Sequence, residues 1–352
     1  MNEPKRLFDI AKYQLSKFPL DDMLAGKEND QWKKYSTKEV INTINSIGAG
    51  LLNAGLEYTN TSVEGRHKIA IVSKNRPEWL MIDLAVQQIG AVLTPIYPTI
   101  TVNDLEFILR DASVKIIFIN DAALYDKVLS IKDKLPELKE IYSFEKIPGA
   151  KHWTEILSND ETLLNRVQAI SETIKAEDLA TIIYTSGTTG VPKGVMLSHD
   201  NIVSNVLASI PCFPPGDRMK ALSFLPLNHI LERMVSYLYL YTGTSIYYAE
   251  SLETIGDNLK EVHPQLFTTV PRLLEKVYDK IMLKGSELTG IKRKLFFWAH
   301  DLATKFEINR NQGIAYNVKL AIANKIIFKK WREALGGEVK AIVSGAPRPR
   351  RG

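Results

Sequence analysis

The sequence predicts an α/β protein built of layered, mostly parallel sheets with helices on both faces. Three observations carry that expectation. Short apolar runs at Lys68–Val72, Ala91–Thr94 and Lys115–Ile119 recur between stretches of helical periodicity. The run KIIFI at 115–119 is continuous rather than alternating, as in a strand buried on both faces. Strand, helix, strand, helix, strand at this spacing calls for crossover connections and hence parallel pairing.

Taken in order, Val40, Ile41, Ile44, Ile47, Leu51 and Leu52 share a helical face between Ser36 and Gly55. Pro77 suits the first turn of a helix running to Gly90, and Asn103–Asp111 reads as a short helix. Asp121–Leu135 follows as a helix and Glu140–Ser143 as a strand, whereas Pro148–Glu177 is polar and reads as irregular connection. Asp200–Ile210 is a helix, Pro211–Gly216 a break, and Lys220–Leu225 a strand. Ile230–Tyr241 and Leu252–Val262 are helices interleaved with strands at Thr244–Tyr248 and Gln265–Thr269. Helices at Arg272–Lys284, Ile291–Glu307 and Tyr316–Leu335 precede a last strand, Val339–Val343. Between Arg272 and Glu333 stand fourteen Lys or Arg against six Asp or Glu. The block therefore reads as a surface helical layer with snorkelling lysines, with contact to an anionic membrane as the alternative.

The 352 residues are 45% apolar and 24% charged, as in an ordinary globular protein. A net charge of +5 is small for this length and does not imply nucleic acid. With Cys212 alone, no intramolecular disulfide forms, which suits a reducing compartment. The first ten residues lack an apolar signal region, and the uncharged run Leu84–Asn103 is broken by Gln87, Gln88, Pro95 and Pro98. A cytoplasmic protein, peripheral at most to the inner face of a membrane, is the expectation.

Between two apolar runs, Thr181–Ile183 and Val195–Leu197, lies the sequence TSGTTGVPKG from Thr185 to Gly194. Both flanking runs look buried, and Ser198 is placed to cap the next helix. Hydroxyls at Thr185, Ser186, Thr188 and Thr189, the turns at Gly187 and Gly190, and the charge of Lys193 make a cradle for polyphosphate. The Walker A pattern is excluded, because Pro192 precedes the Lys and Gly194 follows it.

From Tyr184 to Gly194 the loop resembles the phosphate-binding signature of the adenylate-forming superfamily. Leu225–Arg233 (LPLNHILER) and Val270–Tyr278 (VPRLLEKVY) resemble segments of its long-chain fatty acyl-CoA synthetases, as does Asn75–Trp79 (NRPEW). The resemblance runs from about residue 30 to Gly345 and implies ATP, Mg²⁺ and coenzyme A as cofactor and co-substrates, with a long-chain fatty acid activated as its adenylate. It implies that Lys193 and His229 take part in catalysis, although a His read alone more often packs or caps. It further implies that Thr185, Ser186, Gly187, Thr188, Thr189, Gly190 and Lys193 hold ATP phosphates. Thr185 or Ser186 would ligate Mg²⁺, and Ser344 with Gly345 would border the acyl pocket. A homodimer is a further expectation.

A complete member continues past the strand at Val339–Val343 with adenine- and ribose-binding segments and a C-terminal lid. Ser344-Gly345-Ala346 still resembles the small-residue turn that borders the acyl pocket, but Pro347–Gly352 (PRPRRG) does not resemble the helix expected after it. The expectation is a partial N-terminal AMP-binding domain over residues 1–345, an aberrant basic tail, an absent lid and impaired activity. The rivals are an adenylating enzyme for another acid, and a non-catalytic fragment binding nucleotide or membrane.

Overall fold

The computed structural model describes residues 3–57, 60–186, 190–213, 216, 218–307, 310 and 312–345. They divide into two compact units, residues 1–219 with 223–250, and residues 220–222 with 251–352.

The first unit begins where the sequence pattern yields no element, with α1 (Asp9–Lys17), β1 (Leu24–Glu28) and β2 (Gln31–Tyr35). Next comes α2 (Thr37–Asn53), started by a capping box in which the Ser36 side chain accepts from Glu39 N–H and Glu39 answers to Ser36 N–H. The expected alternation follows as β3 (Lys68–Val72), α3 (Pro77–Gln88), β4 (Val92–Ile96), α4 (Val102–Asp111) and β5 (Val114–Ile119). Every residue of α3 is buried, as the near-continuous apolar run WLMIDLAV requires. The helix expected over Asp121–Leu135 is instead α5 (Ala122–Leu129) plus a 3₁₀ turn at Lys132–Lys134, and β6 (Glu140–Ser143) stands as expected.

Pro148–Glu177 departs from its reading. It holds β7 (Lys151–His152), a 3₁₀ turn at Trp153–Ile156 and the thirteen-residue helix α6 (Glu161–Thr173). Asp160 caps α6 by accepting from Leu163 N–H at 2.9 Å. Only a narrow stripe of α6, Val167, Ile170 and Ser171, is buried, and Val167 methyls approach Gly48 of α2. So thin a stripe leaves the sequence looking irregular.

Next come β8 (Leu179–Ser186), β9 (Pro192–Ser198) and α7 (His199–Ser209), capped by Ser198 as expected. Seven strands form one sheet in the order β7-β6-β5-β3-β4-β8-β9, parallel except for the β8–β9 hairpin. The order reverses direction at β3 and β5. There Asn120 N–H donates to Val72 O, and the Ser73 hydroxyl to Asn120 Oδ1 at 3.1 Å. The flanking run Val195–Leu197 is not buried as its composition suggests: Val195 and Met196 are 44% and 56% exposed. β9 is the outer strand of the sheet, paired only with β8.

β10 (Lys220–Ser223) enters the second unit, after which α8 (Ile230–Tyr241) and β11 (Ser245–Tyr248) return to the first. There β11 pairs parallel with β1, and β1 antiparallel with β2. The second unit continues with α9 (Ile255–Val262), β12 (Leu266–Thr269), α10 (Pro271–Glu287), α11 (Gly290–Thr304) and α12 (Ile314–Ala323). A π-helical stretch at Asn324–Phe328 and α13 (Lys329–Ala334) divide what reads in sequence as a single helix, and β13 (Ala341–Ser344) closes the unit. Within it β12 pairs parallel with both β10 and β13.

Candidate phosphate and acyl site

The hydroxyl-rich loop is the tip of the β8–β9 hairpin rather than a strand-to-helix turn. The register sets Tyr184 opposite Gly194, Thr185 opposite Lys193 and Ser186 opposite Pro192. Directly opposed residues of an antiparallel pair share a face, so Thr185 and Lys193 form one exposed rim of hydroxyl and ammonium. Tyr184 points the other way, its hydroxyl donating to the Asp111 carboxylate, which together with burial raises its pKa. Gly194 is dictated by that ring: a Cβ there would meet Ile182 Cγ2 at 2.8 Å and the Tyr184 ring at 3.2 Å. Gly190 turns the tip at φ +81°, in the left-handed region. Gly187, Thr188 and Thr189 lie outside the described residues, and of Ser186 only the backbone is described.

Among the described residues no group of three His, Cys, Asp or Glu is disposed to hold a metal. The donor at the rim is the Thr185 hydroxyl, an oxygen ligand of the hard type Mg²⁺ takes when nucleotide phosphates supply most of its shell. The residues present therefore fit the ion as a companion of bound phosphate.

His229 is exposed at the N-cap of α8, its Nδ1 accepting from Leu231 N–H at 3.2 Å. That bond assigns the neutral ring's proton to Nε2, leaving Nε2–H as the outward donor. Capping and a site role thus coexist in one residue. Asn75 fixes the segment that carries it. Its Nδ2 donates to Leu225 O at 2.7 Å and Ser223 Oγ at 3.2 Å, and its Oδ1 accepts from Leu227 N–H at 3.0 Å. Asn228 Nδ2 adds a bond to Ile96 O at 2.6 Å. The segments Asn75–Trp79 and Leu225–Arg233 therefore touch.

Beneath them lies a buried polar network that sequence reasoning missed. Arg233 and Asp83 are both fully buried, with Nε–Oδ2 at 3.0 Å and Nη2–Oδ1 at 2.5 Å. Tyr237 and Gln87 also donate to Asp83, and Arg233 lies 5.7 Å from the Trp79 ring centroid. Arg233 Nη1 donates to Thr181 Oγ1 at 2.7 Å, and Thr181 donates to Leu93 O at 2.7 Å. Thr181 stands four residues before Thr185, and Arg233 four residues after His229. One hydrogen bond thus ties the strand that carries the loop to the helix that carries His229. The sequence did hold a signal, since Asp83 is the single charge in an otherwise apolar helical run.

Glu232, beside Arg233, is fully buried, accepts from the Ser223 hydroxyl at 2.6 Å and leaves Oε2 without a hydrogen-bond partner among the described residues. Burial pushes its pKa up to about 8, so it is protonated at neutral pH. In the second unit, Ser344 pairs with Thr269, and Gly345 N–H reaches Thr269 O at 3.3 Å. Both sit at the carboxyl end of parallel strands, where ligands of α/β sheets collect. The tail at 346–352 lies outside the described residues.

The chain belongs to the AMP-binding enzyme family, which it matches over residues 12–349. It is 32% identical over 348 residues to a long-chain-fatty-acid–CoA ligase (ACSBG2) of Xenopus laevis, covering 95% of this chain and 46% of that one. It is 30% identical over 361 residues to long chain acyl-CoA synthetase 3 of Arabidopsis thaliana, covering 96% and 52%. The chain spans about half the length of the curated relatives it matches. A solved long-chain-fatty-acid–CoA ligase from Archaeoglobus fulgidus shares the fold with TM-score 0.63 at 19% identity, over 80% of this chain and 55% of that one. The N-terminal domain of FACL13 from Mycobacterium tuberculosis gives TM-score 0.60 at 17% identity, over 77% and 64%.

Proposed function

We propose that the chain carries the phosphate- and acyl-binding part of a long-chain fatty acid–CoA ligase, with ATP, Mg²⁺ and coenzyme A as its nucleotide, metal and thiol partners. The observation that supports this reading best is the exposed Thr185–Lys193 rim, tied through Thr181 and Arg233 to the helix capped by His229. A carboxylate is a poor acyl donor because its oxygen leaves badly. Attack of that oxygen on the α-phosphorus of ATP forms a carboxylate–phosphate bond and expels pyrophosphate. The thiol then forms the thioester, and AMP departs.

Charge accumulates on phosphate oxygens in the first step, and the Lys193 ammonium, the Thr185 hydroxyl and loop N–H groups are the donors that neutralise it. Thr185 or Ser186, together with the nucleotide, would hold Mg²⁺, which would supply further charge neutralisation at the phosphates. His229, with its proton on Nε2, donates toward the acyl-adenylate, and Ser344 and Gly345 border the acyl chain without bulk.

The test is ATP–pyrophosphate exchange by the purified chain with palmitate, beside direct ATP binding. Binding and exchange that Lys193→Ala lowers at least tenfold support the proposal. A wild-type chain that binds no ATP overturns it. ATP binding without exchange would instead favour the non-catalytic fragment.

A further inference from the structure

One helix face remains without an account. The inner face of α12 and of the π-helical stretch after it packs on α11: Tyr316, Leu320 and Ile327 close on the cluster of Ala299 and Leu302 beside Trp298, and the Tyr316 hydroxyl donates to Leu302 O at 2.8 Å. Its outer face is apolar too. Ile314, Val318, Ile322 and Ile326 recur at four-residue spacing and are 85%, 53%, 50% and 38% exposed. A helix that is apolar all round is ordinarily covered on both sides. The stripe runs roughly 18 Å from Ile314 to Ile326 at helical rise.

The surrounding charge is one-sided. From residue 308 to residue 332 there is no Asp or Glu, while Arg310, Lys319, Lys325, Lys329, Lys330 and Arg332 are all present. Lys319, Lys325 and Lys330 are exposed and have no ion-pair partner among the described residues. A second copy of this chain would bring six like charges to the contact and be repelled. No helix of the described residues is long and apolar enough to cross a membrane. An apolar stripe flanked by lysines alone is the pattern of a helix that lies in the interface of an anionic bilayer.

We infer that the segment from α12 to α13 docks the chain on an anionic lipid surface, with Ile314, Val318 and Ile322 entering the acyl boundary and Lys319, Lys325 and Lys330 meeting headgroup phosphates. The docking is independent of nucleotide chemistry. Its test is co-sedimentation of the full chain with vesicles of phosphatidylglycerol and phosphatidylcholine, against vesicles of phosphatidylcholine alone.

The wild type should partition at least tenfold more strongly to the anionic vesicles and lose that excess in 0.5 M salt, where the screening length is about 4 Å. I314S/V318S/I322S should weaken partitioning at least tenfold while circular dichroism and melting temperature stay unchanged, since all three side chains are half exposed or more. K319Q/K325Q/K330Q should weaken it on the order of a hundredfold, at roughly fivefold per basic charge, and leaves the apolar stripe intact. The inference is overturned by equal binding to both vesicle types, by a serine variant that folds and binds undiminished, or by a lipid-free dimer that the serine variant dissolves.

Discussion

Replacing Asp83 with Asn tests whether the buried network under His229 is the keystone of the first unit. The substitution keeps size and shape but removes the charge paired with Arg233, which is fully buried and donates two bonds to Asp83, at 3.0 and 2.5 Å. Tyr237 and Gln87 donate to different oxygens of the same carboxylate, so one of them loses its acceptor when an NH₂ group replaces one oxygen. Removing one partner of a buried ion pair costs about 3–5 kcal/mol, because the other charge stays desolvated. At about 2–4 °C per kcal/mol for folding units of 150–250 residues, that is roughly a 10 °C fall in melting temperature. Urea unfolding gives the free energy, and the control is the double variant Asp83→Leu/Arg233→Met. With both charges gone, no orphan remains, so the double variant should be more stable than Asp83→Asn alone. A loss below about 1 kcal/mol in the single variant, or a double variant as unstable as the sum of the singles, refutes the reasoning.

Gly194→Val should destabilise the hairpin by about 1–3 kcal/mol through overpacking against Ile182 and Tyr184, read as faster hydrogen exchange in β8 and β9. Asn75→Ala removes three hydrogen bonds to the segment ahead of His229. About 2 kcal/mol of stability and the exchange protection of Leu225–Leu227 should go with them. Two buried groups set opposite pH slopes. Glu232, pushed up to about 8 by burial, keeps a proton that the unfolded chain releases above about 4.5, so its contribution is lost as pH rises from 4.5 to 8. His199, pushed down to about 3 chiefly by burial, stays neutral where the unfolded chain takes a proton below 6.5, so its contribution is lost as pH falls from 6.5 to 3. The two oppose each other between pH 4.5 and 6.5. Glu232→Gln should therefore abolish the fall in urea midpoint between pH 6.5 and 8, and an unchanged slope there would remove Glu232 from the account.

The strands of the seven-stranded sheet were legible because a doubly covered parallel sheet needs continuous apolar runs, and KIAIV and KIIFI are such runs. Pro77 and Ser198 marked helix starts by fixed geometry and by capping chemistry, both local properties. The failures have equally physical causes. α6 buries so narrow a stripe that polar residues dominate its composition. β9 is apolar yet exposed, because burial depends on what covers a strand and not on what composes it. The Asn75 clamp joins positions separated by about 150 residues, and the Asp83–Arg233 pair does likewise. No local pattern specifies either partner.

That division also separates motif residues that face solvent from motif residues that hold the chain together. Asn75, Glu232 and Arg233 stand in segments that mark the long-chain synthetases, yet the last two are fully buried and all three hold other parts of the chain. Thr185, Lys193 and His229 stay exposed, on a hairpin rim and a helix N-terminus, as do Arg272, Glu275, Lys276 and Tyr278 of the Val270–Tyr278 segment. A motif therefore records two demands at once. A few side chains must face a ligand, and a larger number must keep the strand and helix behind them in register. The Arg233–Thr181 bond is where the second demand serves the first, since it links the carrier of the loop to the carrier of the histidine. On the proposed function, its loss would leave the Thr185–Lys193 rim and His229 in place but no longer at a fixed separation, and adenylation would need that separation fixed to well under an ångström.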